Sequence, residues 1–81
     1  MRLFYTDRFL RSYEQAPASI QAALDHRVAF LLANLRHPSL RAKKYDEARG
    51  ISQARVTRDW RFYFTIEGDT YHLLDIVSHP K

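Results

Sequence analysis

Residues 51–79, ISQARVTRDWRFYFTIEGDTYHLLDIVSH, decide the fold. Ile51–Thr57, 60–66 and 71–78 are rich in β-branched and aromatic residues, as strands require. Their connections, at Arg58-Asp59 and Gly68-Asp69, are short, so neighbouring strands must run antiparallel. Side chains alternate along a strand. In the first, Ser52, Ala54 and Val56 oppose Gln53, Arg55 and Thr57; in the second, Trp60, Phe62, Phe64 and Ile66 oppose Arg61, Tyr63 and Thr65. In the third, His72, Leu74, Ile76 and Ser78 are expected to oppose Tyr71, Leu73, Asp75, Val77 and His79.

Keeping the apolar sets together fixes the register. It pairs Ala54 with Phe62, Phe64 with Leu74, and Phe62 with Ile76. The same choice sets Arg55 opposite Arg61 and Tyr63 opposite Asp75, with His79 one diagonal step from Arg61. One face is therefore apolar. The other gathers Gln53, Arg55, Arg61, Tyr63, Asp75 and His79, groups suited to gripping a phosphodiester and moving a proton. Like charges directly opposite on a sheet are destabilising, and an anion between Arg55 and Arg61 would relieve that cost.

Upstream, Arg2–Tyr5 reads as a short strand. Thr6 and Asp7 offer an N-cap, and Phe9, Leu10 and Tyr13 form an apolar stripe, so Asp7–Gln15 is expected to be a short helix. Pro17 suits the first turn of a second helix. Ile20, Leu24, Val28, Leu31 and Leu35 recur at three- and four-residue intervals, which predicts a long amphipathic helix ending near His37-Pro38. Residues 38–50 have no period and carry Arg41, Lys43, Lys44, Asp46, Glu47 and Arg49. They read as a loop able to hold a helical turn, with Gly50 at the entry to the sheet. The expected fold class is α+β, in the order β-α-α-β-β-β, with a small, mostly antiparallel sheet and a helical hairpin on one face.

The 81 residues predict one domain spanning 1–81. With 46% hydrophobic residues the chain can fold, and without cysteine it has no disulfide, thiolate metal site or thiol nucleophile. No apolar run is long enough to span a membrane and no signal peptide precedes Arg2, so a cytoplasmic protein is expected. A formal charge of +4 and a pI near 9.8 favour polyanionic partners. The histidines lack ligand spacing, so neither a metal nor another cofactor is expected. His72 is expected on the helix-facing side of its strand, and alternation turns Trp60 toward the helices as well.

The stretch from Gly50 through Arg55, the Arg58-Asp59 turn and Trp60-Arg61, then Gly68-Asp69 and a last strand ending in Ser78-His79, resembles the RelE/ParE superfamily of bacterial toxins. Within it, the order of elements is similar to the ribosome-dependent mRNA endonucleases of the RelE, YoeB and YafQ kind. The resemblance implies a sheet of four or more strands, cleavage of ribosome-bound mRNA without a metal, and a cognate antitoxin as partner. By position it implies that Arg55 and Arg61 act on the phosphate and its transition state, and that His79 is an acid or base. Asp46 and Glu47 are both candidates for the loop base. Lys43, Lys44, Gln53, Arg58 and Tyr63 would contact substrate. The chain departs from the YoeB-like pattern at its end, where Pro80 and Lys81 follow the histidine. Two other functions fit the same resemblance: a ParE-like protein that binds DNA gyrase without nuclease chemistry, and an inactive, antitoxin-binding relative.

Overall fold

The computed structural model describes residues 1–78. The chain runs β1 (Arg2–Tyr5), α1 (Asp7–Gln15), α2 (Ala18–Ala33), a 3-10 turn (Pro38–Leu40), β2 (Lys43–Asp46), β3 (Ile51–Thr57), β4 (Trp60–Glu67) and β5 (Thr70–Ser78). The five strands form one sheet in the order β1-β5-β4-β3-β2. β1 lies parallel to β5, and the other neighbours are antiparallel. The helical hairpin packs on one face, α1 against β5 and α2 against β3. Between the layers lie Phe9, Leu24, Leu31, Leu40, Val56, Phe62, Phe64 and Leu73, all fully buried. Burying each such side chain contributes about 1.5–3 kcal/mol. Trp60 packs against this core, as alternation predicts.

Local chemistry explains the joints. Thr6 caps α1 by accepting the Phe9 N–H at 3.2 Å, while its hydroxyl donates to the Leu73 carbonyl at 2.8 Å. The start of the helix is thereby tied to the middle of β5. Pro17 stands just before α2 rather than inside its first turn. Gly68, at φ 61°, takes the first of the two loop positions between β4 and β5, where a tight hairpin needs a left-handed residue.

Three expectations are corrected. The second helix stops at Ala33, short of His37-Pro38. Asn34 leaves helical space at φ −163° and its side-chain oxygen accepts the Arg36 N–H at 3.0 Å, a local bond that competes with another helical turn. Residues 38–50 hold the 3-10 turn, but they also contribute the edge strand β2, which pairs Lys43 with Gln53 and Lys44 with Ser52. Lastly, β5 carries a bulge. Tyr63 pairs with Asp75 but Phe64 pairs with Leu73, so Leu74 is the extra residue. The pairs Arg55–Arg61, Ala54–Phe62, Phe62–Ile76 and Tyr63–Asp75 hold as expected, and Phe64–Leu74 does not. Below the bulge the faces exchange. Tyr71 and Leu73 are buried, whereas His72 turns away from the core onto the Phe4 ring, 5.2 Å away, and beside Glu67.

Candidate functional site

The sheet face opposite the helices carries two adjoining hollows. The first, of about 310 Å³, is lined by Arg41, Lys43, Gln53, Arg55 and Arg61. Arg55 and Arg61 enter it from directly opposite positions on β3 and β4. Lys43 enters from β2, where it pairs with Gln53. Arg41 arrives because its backbone is left-handed, at φ 46°, which turns the chain from the 3-10 turn toward β2. A non-glycine residue in that region is strained, and such strain concentrates at functional sites.

The cleft fixes Arg61, and the side chains that line it neutralise none of its cations. One terminal nitrogen of Arg61, Nη1, donates to the carbonyls of Thr57, Arg58 and Trp60 at 2.8, 3.1 and 3.0 Å. The guanidinium is thereby fixed against the β3–β4 turn. The Nε of Arg55 is buried and has no hydrogen-bond partner among the described residues. Burial pushes the Arg55 guanidinium below its ordinary value, and the positive charges of Arg41, Arg61, Arg27 and Arg58 push it the same way. Arginine nevertheless remains charged in proteins. Buried donors are normally paired, so this arrangement favours an anion with several acceptor oxygens.

The second hollow, of about 610 Å³, is lined by Thr6, Arg8, Tyr45, Arg49, Ile51, Tyr63, Leu74, Asp75 and Val77. Tyr45 meets Tyr63 edge to face, with ring centroids 4.8 Å apart. Burial, and then the neighbouring Tyr45, raise the Tyr63 phenol above its usual 10, so it stays protonated near neutrality. A basic cleft beside an aromatic pair has the parts of a single-strand site: cations for the backbone and ring faces for bases.

The carboxylates near this face are mostly engaged. Asp75 accepts from Ser12 at 2.6 Å, Arg8 Nε at 3.1 Å and its following N–H at 2.9 Å. Asp46 accepts the Arg49 side chain at 2.9 Å and the Arg49 N–H at 3.2 Å. Those bonds hold its carboxyl below the ordinary value of 3.8. Glu47 is exposed in the turn after β2, and its side chain has no ion pair or hydrogen bond among the described residues. Neither Asp46 nor Glu47 lines either hollow.

Of the candidates read from sequence, Arg55, Arg61, Gln53 and Lys43 meet in the cleft, and Tyr63 borders it. Lys44 lies toward the other side of the sheet, at a pocket behind β2 that Arg41 and Lys43 also line. Arg58 sits exposed in the β3–β4 turn and adds to the field on Arg55. His79 lies outside the described residues. Tyr45 carries no sequence signal for the site, whereas Arg41 belongs to the basic run 41–44 that the sequence places beside the groove.

No family model matches the chain, and no curated protein matches it. Solved structures do. The YoeB/ParE toxin from Agrobacterium tumefaciens superposes with a TM-score of 0.79 at 15% identity, over 99% of this chain and 100% of that one. The fold is that of the YoeB and YafQ toxins. YafQ from E. coli strain BL21(DE3) gives a TM-score of 0.77 at 14% identity, covering 96% of this chain and 93% of that one. The Staphylococcus aureus YoeB–YefM toxin–antitoxin heterotetramer gives 0.77 at 10% identity, with 99% and 98% covered. The YoeB/YafQ fold agrees with the architecture expected from the RelE/ParE resemblance: a helical hairpin on one face of a sheet of four or more strands, here five.

Proposed function

We propose that this protein is the toxin of a toxin–antitoxin pair and acts in the cytoplasm as a ribosome-dependent mRNA endonuclease. The carrying observation is the opposed Arg55 and Arg61 in a cleft with Arg41, Lys43 and Gln53. The shared fold supports the toxin reading. The solved complexes of YafQ with DinJ and of YoeB with YefM support a protein antitoxin as partner.

In the proposed reaction the 2′-hydroxyl attacks the adjacent phosphorus, and the 5′-oxygen leaves, giving a 2′,3′-cyclic phosphate and a free 5′-hydroxyl. Arg61, fixed by three carbonyls, and Arg55, with an unpaired donor, would grip the non-bridging oxygens as negative charge builds on the phosphorane. Such preorganised donors need no rearrangement at the moment of reaction. Tyr63 and Tyr45 would take neighbouring bases by stacking, at about 1–3 kcal/mol per base. Of the two loop candidates Asp46 is held by Arg49, so Glu47, in the turn after β2 and outside both hollows, would take the 2′-hydroxyl proton once substrate spans that turn. His79 would protonate the leaving oxygen. Each proton-transfer group contributes roughly 10²–10⁴-fold.

The test is expression of the chain in a bacterial host, with primer extension on ribosome-bound message. Arrested growth with codon-register cuts, both lost in Arg61→Ala, is the expected result. Arrested growth with intact message and inhibited gyrase would overturn the nuclease reading in favour of a ParE-like one.

A further inference from the structure

We propose that the helix side of the molecule carries a second site, bounded by Tyr5, Phe9, Tyr13 and Asp25, that binds a small, free quaternary ammonium ion. This hollow shares no lining residue with those on the opposite face of the sheet. Its occupancy does not depend on the function proposed above.

Three rings reach the hollow from one short stretch of chain. Tyr5 ends β1, and Phe9 and Tyr13 lie one turn apart on α1. Tyr5 meets Phe9 with ring centroids 5.6 Å apart, and Phe9 meets Tyr13 at 6.2 Å. Leu24 and Val28, both buried on α2, supply its apolar base. The same helix brings Asp25, whose two carboxylate oxygens accept the Tyr13 hydroxyl at 3.1 and 3.2 Å. Of the three rings only Phe9 is buried; Tyr13 is half-buried and Tyr5 is 42% exposed. Aromatic surface is thus left open beside a carboxylate.

The sign of the charge here is opposite to that of the molecule as a whole. The chain carries a formal charge of +4, yet among the described residues no lysine, arginine or histidine lines this hollow. Asp25 forms no ion pair among the described residues. Its bond from Tyr13 comes from a neutral hydroxyl and leaves the negative charge uncompensated. The Tyr5 phenol is raised above its usual 10, first by burial and then by the Asp25 charge, whose field therefore reaches across the hollow. Aromatic faces attract a cation placed within about 6 Å of the ring centroid. Rings as close as these put one ion within that reach of more than one of them.

Size and lining select the kind of cation. The hollow holds about 230 Å³, below the roughly 300–1,000 Å³ of sites for drug-sized ligands, so it takes a headgroup rather than a large molecule. A primary ammonium brings three N–H donors. The side chains here offer it only two phenol oxygens and a carboxylate that already holds the Tyr13 hydroxyl. A donor left unpaired on burial is costly. A quaternary ammonium has no donor to satisfy and sets its methyl groups against the rings, Leu24 and Val28. A neutral molecule of the same shape would fill the space but leave the Asp25 charge unanswered.

The test titrates the purified full chain with choline chloride at constant ionic strength, read by calorimetry and by the N-methyl proton signal. Saturable binding with a Kd on the order of 1 mM is expected, with an upfield ring-current shift of the methyl signal. The uncharged carbon isostere dimethylbutanol and the primary ammonium ethanolamine should each bind about tenfold more weakly or worse. Asp25→Asn and Tyr5→Leu, both at exposed positions, should each weaken choline about tenfold and leave the circular dichroism unchanged. Tyr5→Phe keeps a ring and should bind within about twofold of the parent. Absence of saturation about tenfold above the expected Kd, equal binding of the isostere, or indifference to both Asp25→Asn and Tyr5→Leu would overturn the site. Tighter binding of ethanolamine than of choline would overturn the preference for a quaternary ion. A trimethyl-lysine peptide that binds about a hundredfold more tightly than choline would overturn the free ion and assign the site to a methylated side chain of a partner protein.

Discussion

Arg55 and Arg61 face each other directly across β3 and β4, two cations where a sheet ordinarily sets opposite charges. With no anion bound, the pair opposes folding. Arg55→Gln is therefore expected to raise Tm by about 1–3 °C at low ionic strength, a gain that fades as salt screens the repulsion. Inorganic phosphate should raise the Tm of the parent chain more than that of the variant. Differential scanning fluorimetry across a phosphate series checks both, and equal phosphate responses would count against an anion site.

The cleft brings together Arg41, Lys43, Arg55 and Arg61, so binding to a short single-stranded RNA should depend steeply on salt. Each phosphate neutralised contributes roughly 0.7 to the slope of log K against log salt for single strands. Arg55→Ala is expected to reduce that slope by about 0.7 and to lower affinity about equally for all sequences. Arg61→Lys keeps the charge but loses the planar fork held by the Thr57, Arg58 and Trp60 carbonyls. It should retain most of the binding and lose most of the cleavage. A fluorescence titration beside a single-turnover assay separates these effects.

Asp75 joins α1 to β5 through Ser12 and Arg8. Its carboxylate is only 15% exposed, so the partners it would strand are costly. Asp75→Asn is expected to destabilise the chain by about 1–2 kcal/mol in urea unfolding. Arg8→Ala, at an exposed position, should cost about 0.2–1 kcal/mol. If Asp75 were instead the base, its replacement would abolish cleavage with stability unchanged.

The sequence made some of this legible and concealed the rest for identifiable reasons. Strict alternation through Ile51–Thr57 and along Trp60–Glu67 left one arrangement that buries Ala54, Phe62 and Phe64, and the Arg55–Arg61 pair followed from it. β5 offered no such decision. Tyr71 and Leu73 are as apolar as Leu74 and Ile76, so either set could face the core, and the Leu74 bulge lets members of both do so. β2, with the sequence KKYD, has no apolar period at all, because it is an edge strand whose residues are exposed or half-buried on both faces. Arg41 reaches the cleft through a left-handed backbone that no glycine or asparagine announced. The Asp75 clamp joins residues more than sixty positions apart, beyond the reach of any local pattern.

Asp46 and Glu47 adjoin in the chain but differ in what holds them, and that difference predicts which one can be a base. Arg49 binds the Asp46 carboxylate through its side chain and its backbone N–H, which keeps the carboxyl below 3.8 in the folded chain. A depressed folded value means that this ion pair supports the β2–β3 turn above the unfolded value. The support is lost as pH falls through the folded one. Carbon-detected NMR of the side chain should show Asp46 titrating below 3.8, and Arg49→Ala should return it toward that value. A carboxylate so stabilised is a weak base near neutral pH. Asp46→Asn is thus expected to leave the cleavage rate within a few fold of the parent, whereas Glu47→Gln should lower it by about 10²–10⁴. The reverse order in single-turnover rates would assign the base to Asp46 and require Arg49 to release it when substrate binds.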